Sequence, residues 1–455
     1  MNGFSILKAA QEAPDRIAMI DDEGALTFRQ LADEVTPWLG PLRALGADAR
    51  VALTPDRYRA SIVRLLAAIE ARVPVVLLHA RWSAFERERA LALTEPSAHL
   101  EALTPQRDRG NRTESEKSDA PNAPLALIFT SGTSGAPRAA VLSRSSLLAA
   151  CEASADALGW RDDDRWMLAM PLAHVGGLSI VLRCLAARRT LVLHRGPLDA
   201  HALQATAARH RCTLLSLVPT MLRRWLSHPS VPLPALRVML IGGAACPEAL
   251  LTRAISAKLP VHTTYGLTEM CAQVATLRAP AQRAEVGVGP PLKGVEIELD
   301  EGRILVRGPS LFSGFWREPS PLDARGFYDT GDHGRWDEAG NLHVLGRRTD
   351  LIVSGGENVY PAEVEGALEA IQGIETACVF GIPDPEWGEV VCALCVASAT
   401  PTPELLRTAL ASRLASFKRP RRVAFVSSLP TLASGKVDRR AAAQVFSGMN
   451  DHTAV

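Results

Sequence analysis

Hydroxyls alternate with glycines in the run Thr130-Ser131-Gly132-Thr133-Ser134-Gly135-Ala136-Pro137-Arg138. An apolar run, Leu125-Ala126-Leu127-Ile128-Phe129, precedes it and reads as a buried strand. Glycine permits positive φ and lets a ligand approach the backbone. Hydroxyls and free N–H groups offer several donors to one small anion, so a phosphate fits. No Gly-Lys-Ser/Thr triplet closes the loop, so it is not the common phosphate loop of NTPases. A nucleotide handled by other means is the leading reading, with a plain Ser/Gly turn as its competitor.

Four further constellations carry polar chemistry. Thr263-Thr264-Tyr265-Gly266-Leu267-Thr268-Glu269 falls at the end of an expected strand, the edge where open α/β sheets bind ligands. A ring there can stack on a base, a hydroxyl can reach a phosphate, and a carboxylate can hold Mg²⁺. Equally, Tyr265 can be core and Glu269 a helix-start residue favoured by the dipole. Tyr328-Asp329-Thr330-Gly331-Asp332 reads as a tight turn whose acid accepts both hydroxyls of a ribose, or as an ordinary Asx turn. In residues 346–365, Arg347 can meet ribose or phosphate, Gly355-Gly356 can let a thin ligand pass, and Pro361 opens a helix. Near the end, Ser434-Gly435-Lys436 presents one cation on a flexible loop. Only six of the 50 basic residues are lysine, which hints that position 436 needs a compact ammonium.

The elements that must position these residues alternate. Helices are expected over 27–45 (capped by Thr27), 59–71, 145–158, 177–187, 199–210, 219–227 and 247–258. Strands are expected at 51–53, 73–78, 166–169, 190–194, 213–218, 236–241 and 260–263. This βαβ rhythm implies parallel sheets covered by helices. Residues 104–124 are polar, charged and proline-bracketed, and read as a linker. From about 286 short glycine-punctuated strands suggest a β-rich subdomain, and from 350 a small α+β module follows.

At 455 residues the chain needs more than one domain. A net charge of +1 gives no pointer to nucleic acid, and 47% hydrophobic content with no long apolar run gives none to a membrane span. Lys8, Glu12, Asp15 and Arg16 interrupt the first 20 residues, which argues against a signal peptide. The eight cysteines are scattered; Cys392 and Cys395 lie on one expected strand and face opposite ways, so they cannot share a metal. Buried thiols and a reducing cytoplasm follow. Nothing in the sequence excludes a homo-oligomer.

In joint order and spacing these motifs resemble the acyl-adenylate-forming superfamily (acyl-CoA synthetases, peptide-synthetase adenylation domains, luciferases), from about Thr27 to Arg439. The resemblance implies an α/β fold: residues 1–348 as an AMP-binding and acyl-substrate domain, and 350–455 as a mobile lid. It implies ATP, Mg²⁺ and coenzyme A as ligands. Thr130–Gly135 and Arg138 would wrap the ATP phosphates, with Gly243, Ala244, Thr264, Gly266 and Thr268 also around the nucleotide. Tyr265 would lie against adenine, Asp332 would hold the ribose beside Arg347, and Gly355 and Gly356 would flank the pantetheine arm. Lys436, Glu269 and Thr133 form the implied catalytic set, Glu269 binding the metal. Arg138 stands where the family loop ends in Lys, and Thr349 where its hinge often carries Asp or Lys.

The acid is narrowed by the run Met170–Ser179. His174 there matches the family's residue beside the acyl pocket, and no acid between 167 and 182 offers to hold a substrate ammonium. His174-Val-Gly-Gly177-Leu-Ser, Ser216-Leu-Val218-Pro219-Thr-Met-Leu and Gly242-Gly-Ala-Ala resemble one subgroup, the 2-succinylbenzoate–CoA ligases of menaquinone biosynthesis. His174, Gly177, Ser216, Val218, Pro219 and Gly242 would then line the acyl site. Arg183 and Arg223 are candidates for the second carboxylate, which the sequence does not place; Lys418–Arg422 can meet the phosphates of CoA, with a solvated basic face as the favoured reading of that run. An aryl-acid ligase delivering to CoA or a carrier protein, and an inactive nucleotide-binding protein, remain as alternatives.

Overall fold

Strand Pro124–Ser131 is apolar on both faces, and the fold uses both. Ala126 and Ile128 join one core cluster, Leu127 and Phe129 another. Such two-sided strands belong to sheets buried between layers. In this computed structural model, residues 3–106, 122–131, 137–229, 231–283, 287–347, 350–354, 357–384, 387–432, 435–449 and 453–454 are described. The expected 104–124 linker falls largely outside them, as do Gly132–Ala136, Thr349, Gly355, Gly356 and Ser434.

The strand order of the larger sheet is Ala272–Thr276, Val261–Leu267, Val238–Ile241, Leu214–Leu217, Arg165–Leu168, Thr190–Leu193, Ile17–Asp21 and Gly24–Thr27. Its inner strands run parallel and its two edge strands antiparallel. A second sheet has the order Ala98–His99, Val51–Leu53, Val75–Leu77, Pro124–Ser131 and Pro137–Ser143, antiparallel only in its last pair. Helices Arg59–Glu70, Arg144–Leu158 and Val175–Ala187 lie in the core between the two sheets, where Leu65, Leu147 and Leu182 pack with Leu77 and Leu168. Helices Ala200–Arg209, Pro219–Leu226 and Glu248–Ser256 cover the outer face of the larger sheet through Leu203, Trp225 and Leu251.

Two further sheets follow. Glu296–Asp300, Arg303–Arg307, Tyr328–Trp336 and Leu342–Arg347 form an antiparallel four-stranded sheet. The separate C-terminal domain builds a sheet around Ile374–Asp384 and Gly388–Ala397. Helices Pro361–Glu369 and Pro403–Ala411 cover one face of that sheet and Arg439–Ser447 the other. Cys395 joins the first face and Cys392 the second, as their spacing requires. All eight cysteines are unpaired. No helix among the described residues is long and apolar enough to cross a membrane.

Three expectations need correction. The helix expected over 27–45 is broken. A capping box of Thr27 and Gln30 starts Phe28–Val35, but the chain then tightens into Thr36–Trp38 at Pro37 before Leu39–Arg43; proline has no amide to extend the ladder. Tyr328–Asp332 is not a tight turn but the start of strand Tyr328–Trp336, although the Gly331 amide does donate to Asp329 Oδ1 at 2.8 Å. The Thr263–Glu269 motif does not follow its strand; the strand Val261–Leu267 runs through it and ends in a short turn, Thr268–Met270.

Candidate active site

Two adjoining hairpins set the polar centre. Val261–Leu267 turns back as Ala272–Thr276, and the turn between them carries Glu269. A Cβ on Gly266 would sit 1.7 Å from the Ala272 carbonyl oxygen, so only glycine lets the hairpin close. In the neighbouring sheet Asp332 and Arg347 are register partners. Tyr265 Oη donates to Asp332 Oδ2 at 2.6 Å, and Arg347 Nε lies 3.2 Å from Asp332 Oδ1. Burial raises the Asp332 pKa, while Arg347 and Lys436 oppose the rise. Burial likewise raises the Glu269 pKa. Tyr328 Oη donates to Glu269 Oε1 at 3.3 Å.

Lys436 reaches this centre from the C-terminal domain. The Leu432 amide donates to the Lys436 carbonyl at 2.8 Å, and Thr431 pairs with Val437, so the lysine rides on a hairpin-like loop. Thr220 Oγ1 donates to the Gly435 carbonyl at 3.2 Å and docks that loop on helix Pro219–Leu226. Lys436 Cε lies 4.0 Å from the place a Cβ would take on Gly243, whose φ of +80° favours glycine. Lys436 is exposed but set in a crowded cleft. Desolvation lowers its pKa, Arg347 adds to the fall, and Asp332 opposes it.

On the acyl side, His174 holds the N-cap position of helix Val175–Ala187 without a side-chain capping bond. Gly177 lies so close to Pro171 that a Cβ would meet its carbonyl oxygen at 2.2 Å. Ser216 lies one residue before the end of strand Leu214–Leu217, partly exposed, and accepts from Trp166 Nε1 at 3.2 Å. Val218 and Pro219 form the strand–helix junction, and Val218 faces Gly243. A Cβ on Gly242 would meet Thr264 Cγ2 at 2.5 Å. The sequence missed His79, whose ring centroid lies 5.1 Å from that of His174. His79 lies just past strand Val75–Leu77, and that carboxyl-end position was the available signal.

Several expected ligands are turned elsewhere. Arg138 pairs with Glu318 through Nε at 2.9 Å and stacks over Phe315. The Thr264 hydroxyl donates across its hairpin to the Ala275 carbonyl at 2.9 Å. Lys418 holds both Glu363 oxygens at 2.8 Å, and Arg421 covers Trp387, so part of the 418–422 run serves its own domain. Arg223 bonds Glu369 and the Glu375 carbonyl rather than facing the acyl side. Arg183 is only 2% exposed and stacks on Trp166, with Nε and Nη2 unpaired among the described residues. Thr130 pairs with Arg138 and Ser131 ends the strand, whereas Gly132–Gly135, with Thr133, and Gly355-Gly356 lie outside the described residues.

Residues 6–316 match the AMP-binding enzyme family, and 363–436 match the AMP-binding enzyme C-terminal domain. The chain belongs to the AMP-binding enzyme family. This AMP-binding enzyme is 34% identical to the 2-succinylbenzoate–CoA ligase of Bacillus pumilus, over 95% of its own length and 96% of the relative's. Solved structures of the o-succinylbenzoate CoA synthetase of Bacillus subtilis are similar throughout. Its complex with the acyl-adenylate intermediate OSB-AMP superposes with a TM-score of 0.87 at 28% identity, covering 97% of each chain. Its complex with ATP and magnesium ion gives 0.86 at 28% identity, covering 96% of this chain and 98% of that one. A double mutant bound to the product analogue OSB-NCoA gives 0.71 at 29% identity, covering 98% of each.

Proposed function

We propose that this AMP-binding enzyme is an ATP- and Mg²⁺-dependent acid–CoA ligase. It joins a carboxylate to AMP with release of pyrophosphate, then passes the acyl group to the thiol of coenzyme A. The acid is 2-succinylbenzoate and the product 2-succinylbenzoyl-CoA, a step of menaquinone biosynthesis, as the names of its relatives suggest. The eight unpaired thiols fit a reducing cytoplasm.

The reading rests above all on Lys436, which the Thr220–Gly435 bond docks beside Gly243 and whose charge is felt by Asp332 and His174. Adenylation brings a carboxylate onto the α-phosphate of ATP, so two anions must approach. An ammonium that bridges them stabilises the charge that builds in the transition state. Asp332 takes the ribose hydroxyls, Arg347 stands beside it, and the Tyr265 ring lies against adenine. Glu269 fits a divalent cation: it is a desolvated carboxylate with no ion pair among the described residues. When bound, Mg²⁺ offsets charge on the departing pyrophosphate. The phosphate loop from Thr130, with Thr133, completes the cradle; Gly355 and Gly356 flank the pantetheine arm. The lid begins at residue 350.

Arg183 supports the diacid. Its buried guanidinium has no carboxylate partner among the described residues, and it stacks on the Trp166 ring that bonds partly exposed Ser216. An unpaired buried charge is costly, so this end of the acyl site favours an incoming anion. The second carboxylate of 2-succinylbenzoate supplies one. A panel of aryl and fatty acids with ATP and CoA, read by mass spectrometry, tests the reading. The 2-succinylbenzoyl thioester and AMP are the expected products. A fatty acid or simple benzoate preferred over the diacid would overturn the substrate, and no thioester from any acid would overturn the reaction.

A further inference from the structure

We infer that Arg223 is a positioning residue that holds the C-terminal domain where Lys436 serves adenylation; this rests on the two-step reaction proposed above. Helix Pro219–Leu226 touches the C-terminal domain at two points. Thr220 Oγ1 donates to the Gly435 carbonyl beside the lysine. One turn later Arg223 Nη2 donates to Glu369 Oε2 at 2.9 Å, and Nη1 to the Glu375 carbonyl. Residues three apart share a helix face, so one face of one helix grips both the lysine loop and the body of the domain behind it.

The carboxylate on the other side is built to be held. The Glu369 side chain is 4% exposed, at the end of helix Pro361–Glu369. Its Oε1 is taken within its own domain by Thr376 Oγ1 at 3.1 Å and the Ala377 amide at 3.0 Å. Its Oε2 is completed from the other domain by Arg223. Exposed ion pairs contribute little, but a buried carboxylate oxygen that loses its cation is left unmatched. The pair therefore favours this disposition of the domains over any that separates helix 219–226 from residue 369. The second step needs a thiol where the first needs an ammonium, so the domains have reason to separate between steps. The Bacillus subtilis complexes with acyl-adenylate and with product analogue differ in how closely they superpose on this chain at near-equal coverage.

The test uses the full-length chain and two assays. Acid-dependent pyrophosphate exchange reads adenylation, and thioester formation from supplied 2-succinylbenzoyl-adenylate and CoA reads the second step. Arg223→Ala is expected to slow exchange about tenfold, with the KM for ATP little changed, because a lost charge-assisted bond shifts a two-state balance by about that factor. Thioester formation should hold or rise. Arg223→Lys should recover part of the loss, and Glu369→Gln, which keeps the internal acceptor, should reproduce the split. Equal losses in both assays, a loss confined to the second step, or unchanged exchange would each overturn the inference. Absence of exchange in the unsubstituted protein would instead overturn the adenylation reading on which it rests.

Discussion

The Tyr265 hydroxyl donates to one oxygen of Asp332 at 2.6 Å while Arg347 stands 3.2 Å from the other, so the carboxylate is gripped from both sides. Each carboxylate oxygen has a second lone-pair site left for a ligand hydroxyl. The tyrosine therefore does two jobs in this reading: its ring meets adenine and its hydroxyl fixes the acid that meets the ribose. Tyr265→Phe keeps the ring and removes a bond to a charged group, worth about 1.5–3 kcal/mol. The KM for ATP should rise about tenfold with a smaller change in kcat. An unchanged KM would show that Asp332 does not need that bond to hold the nucleotide.

Lys436 is a cation that the C-terminal domain sends toward Asp332 and Arg347. In the proposed adenylation its ammonium is needed in the transition state more than in the ground state. Lys436→Ala should lower the rate of pyrophosphate exchange by about 10² to 10³, the usual cost of losing one charge-stabilising donor. ATP affinity, measured by calorimetry, should fall far less. Matching losses in rate and affinity would make the lysine a binding residue only.

The sheets were legible because strands such as Pro124–Ser131 are buried on both faces, so apolar runs marked them directly. The site motifs were legible in order but not in shape. Residues 328–332 read as a turn because glycine and two acids dominate locally, yet cross-strand pairing with Arg303–Arg307 and Leu342–Arg347 draws them into a strand. Helix Ala84–Thr94 went unseen since it buries only Ala90 and Thr94; its signal was the capping box of Ser83 and Glu86. Arg183 and Arg223 looked interchangeable as substrate cations. Arg183 lies in a helix buried nearly all round, Arg223 on one that faces another domain, and only three-dimensional packing separates them.

Arg183 should trade stability for specificity. Its guanidinium is buried, with two nitrogens unpaired among the described residues and Cys151 and Cys184 nearby. Arg183→Met keeps the unbranched stem and removes the charge. Replacing a poorly compensated buried charge with an apolar side chain often stabilises by about 1–4 kcal/mol. The variant should therefore melt at a higher temperature without ligand. Its KM for 2-succinylbenzoate should rise at least about tenfold, while a benzoate lacking the second acid should lose nothing. A variant with lower stability and unaltered KM would mark Arg183 as a core residue with no part in substrate choice.

His174 should make stability fall in mild acid. Its ring lies against His79, its Nε2 has no hydrogen-bond partner among the described residues, and burial together with the charges of His79 and Lys436 pushes its pKa down to about 4. Above about 6.5 neither the folded nor the unfolded imidazole is protonated. Between about 6.5 and 4 the unfolded chain takes up a proton that the folded ring refuses, so this contribution drains away as the pH falls through that window and levels off below it. The full loss is about 3 kcal/mol. Urea midpoints of the unsubstituted protein and of His174→Asn, measured at several pH values across the window, isolate it, since other titrating groups are shared. The advantage of the unsubstituted protein over the variant should shrink steadily toward acid. An advantage that stays constant with pH would show that the ring accepts its proton as readily folded as unfolded.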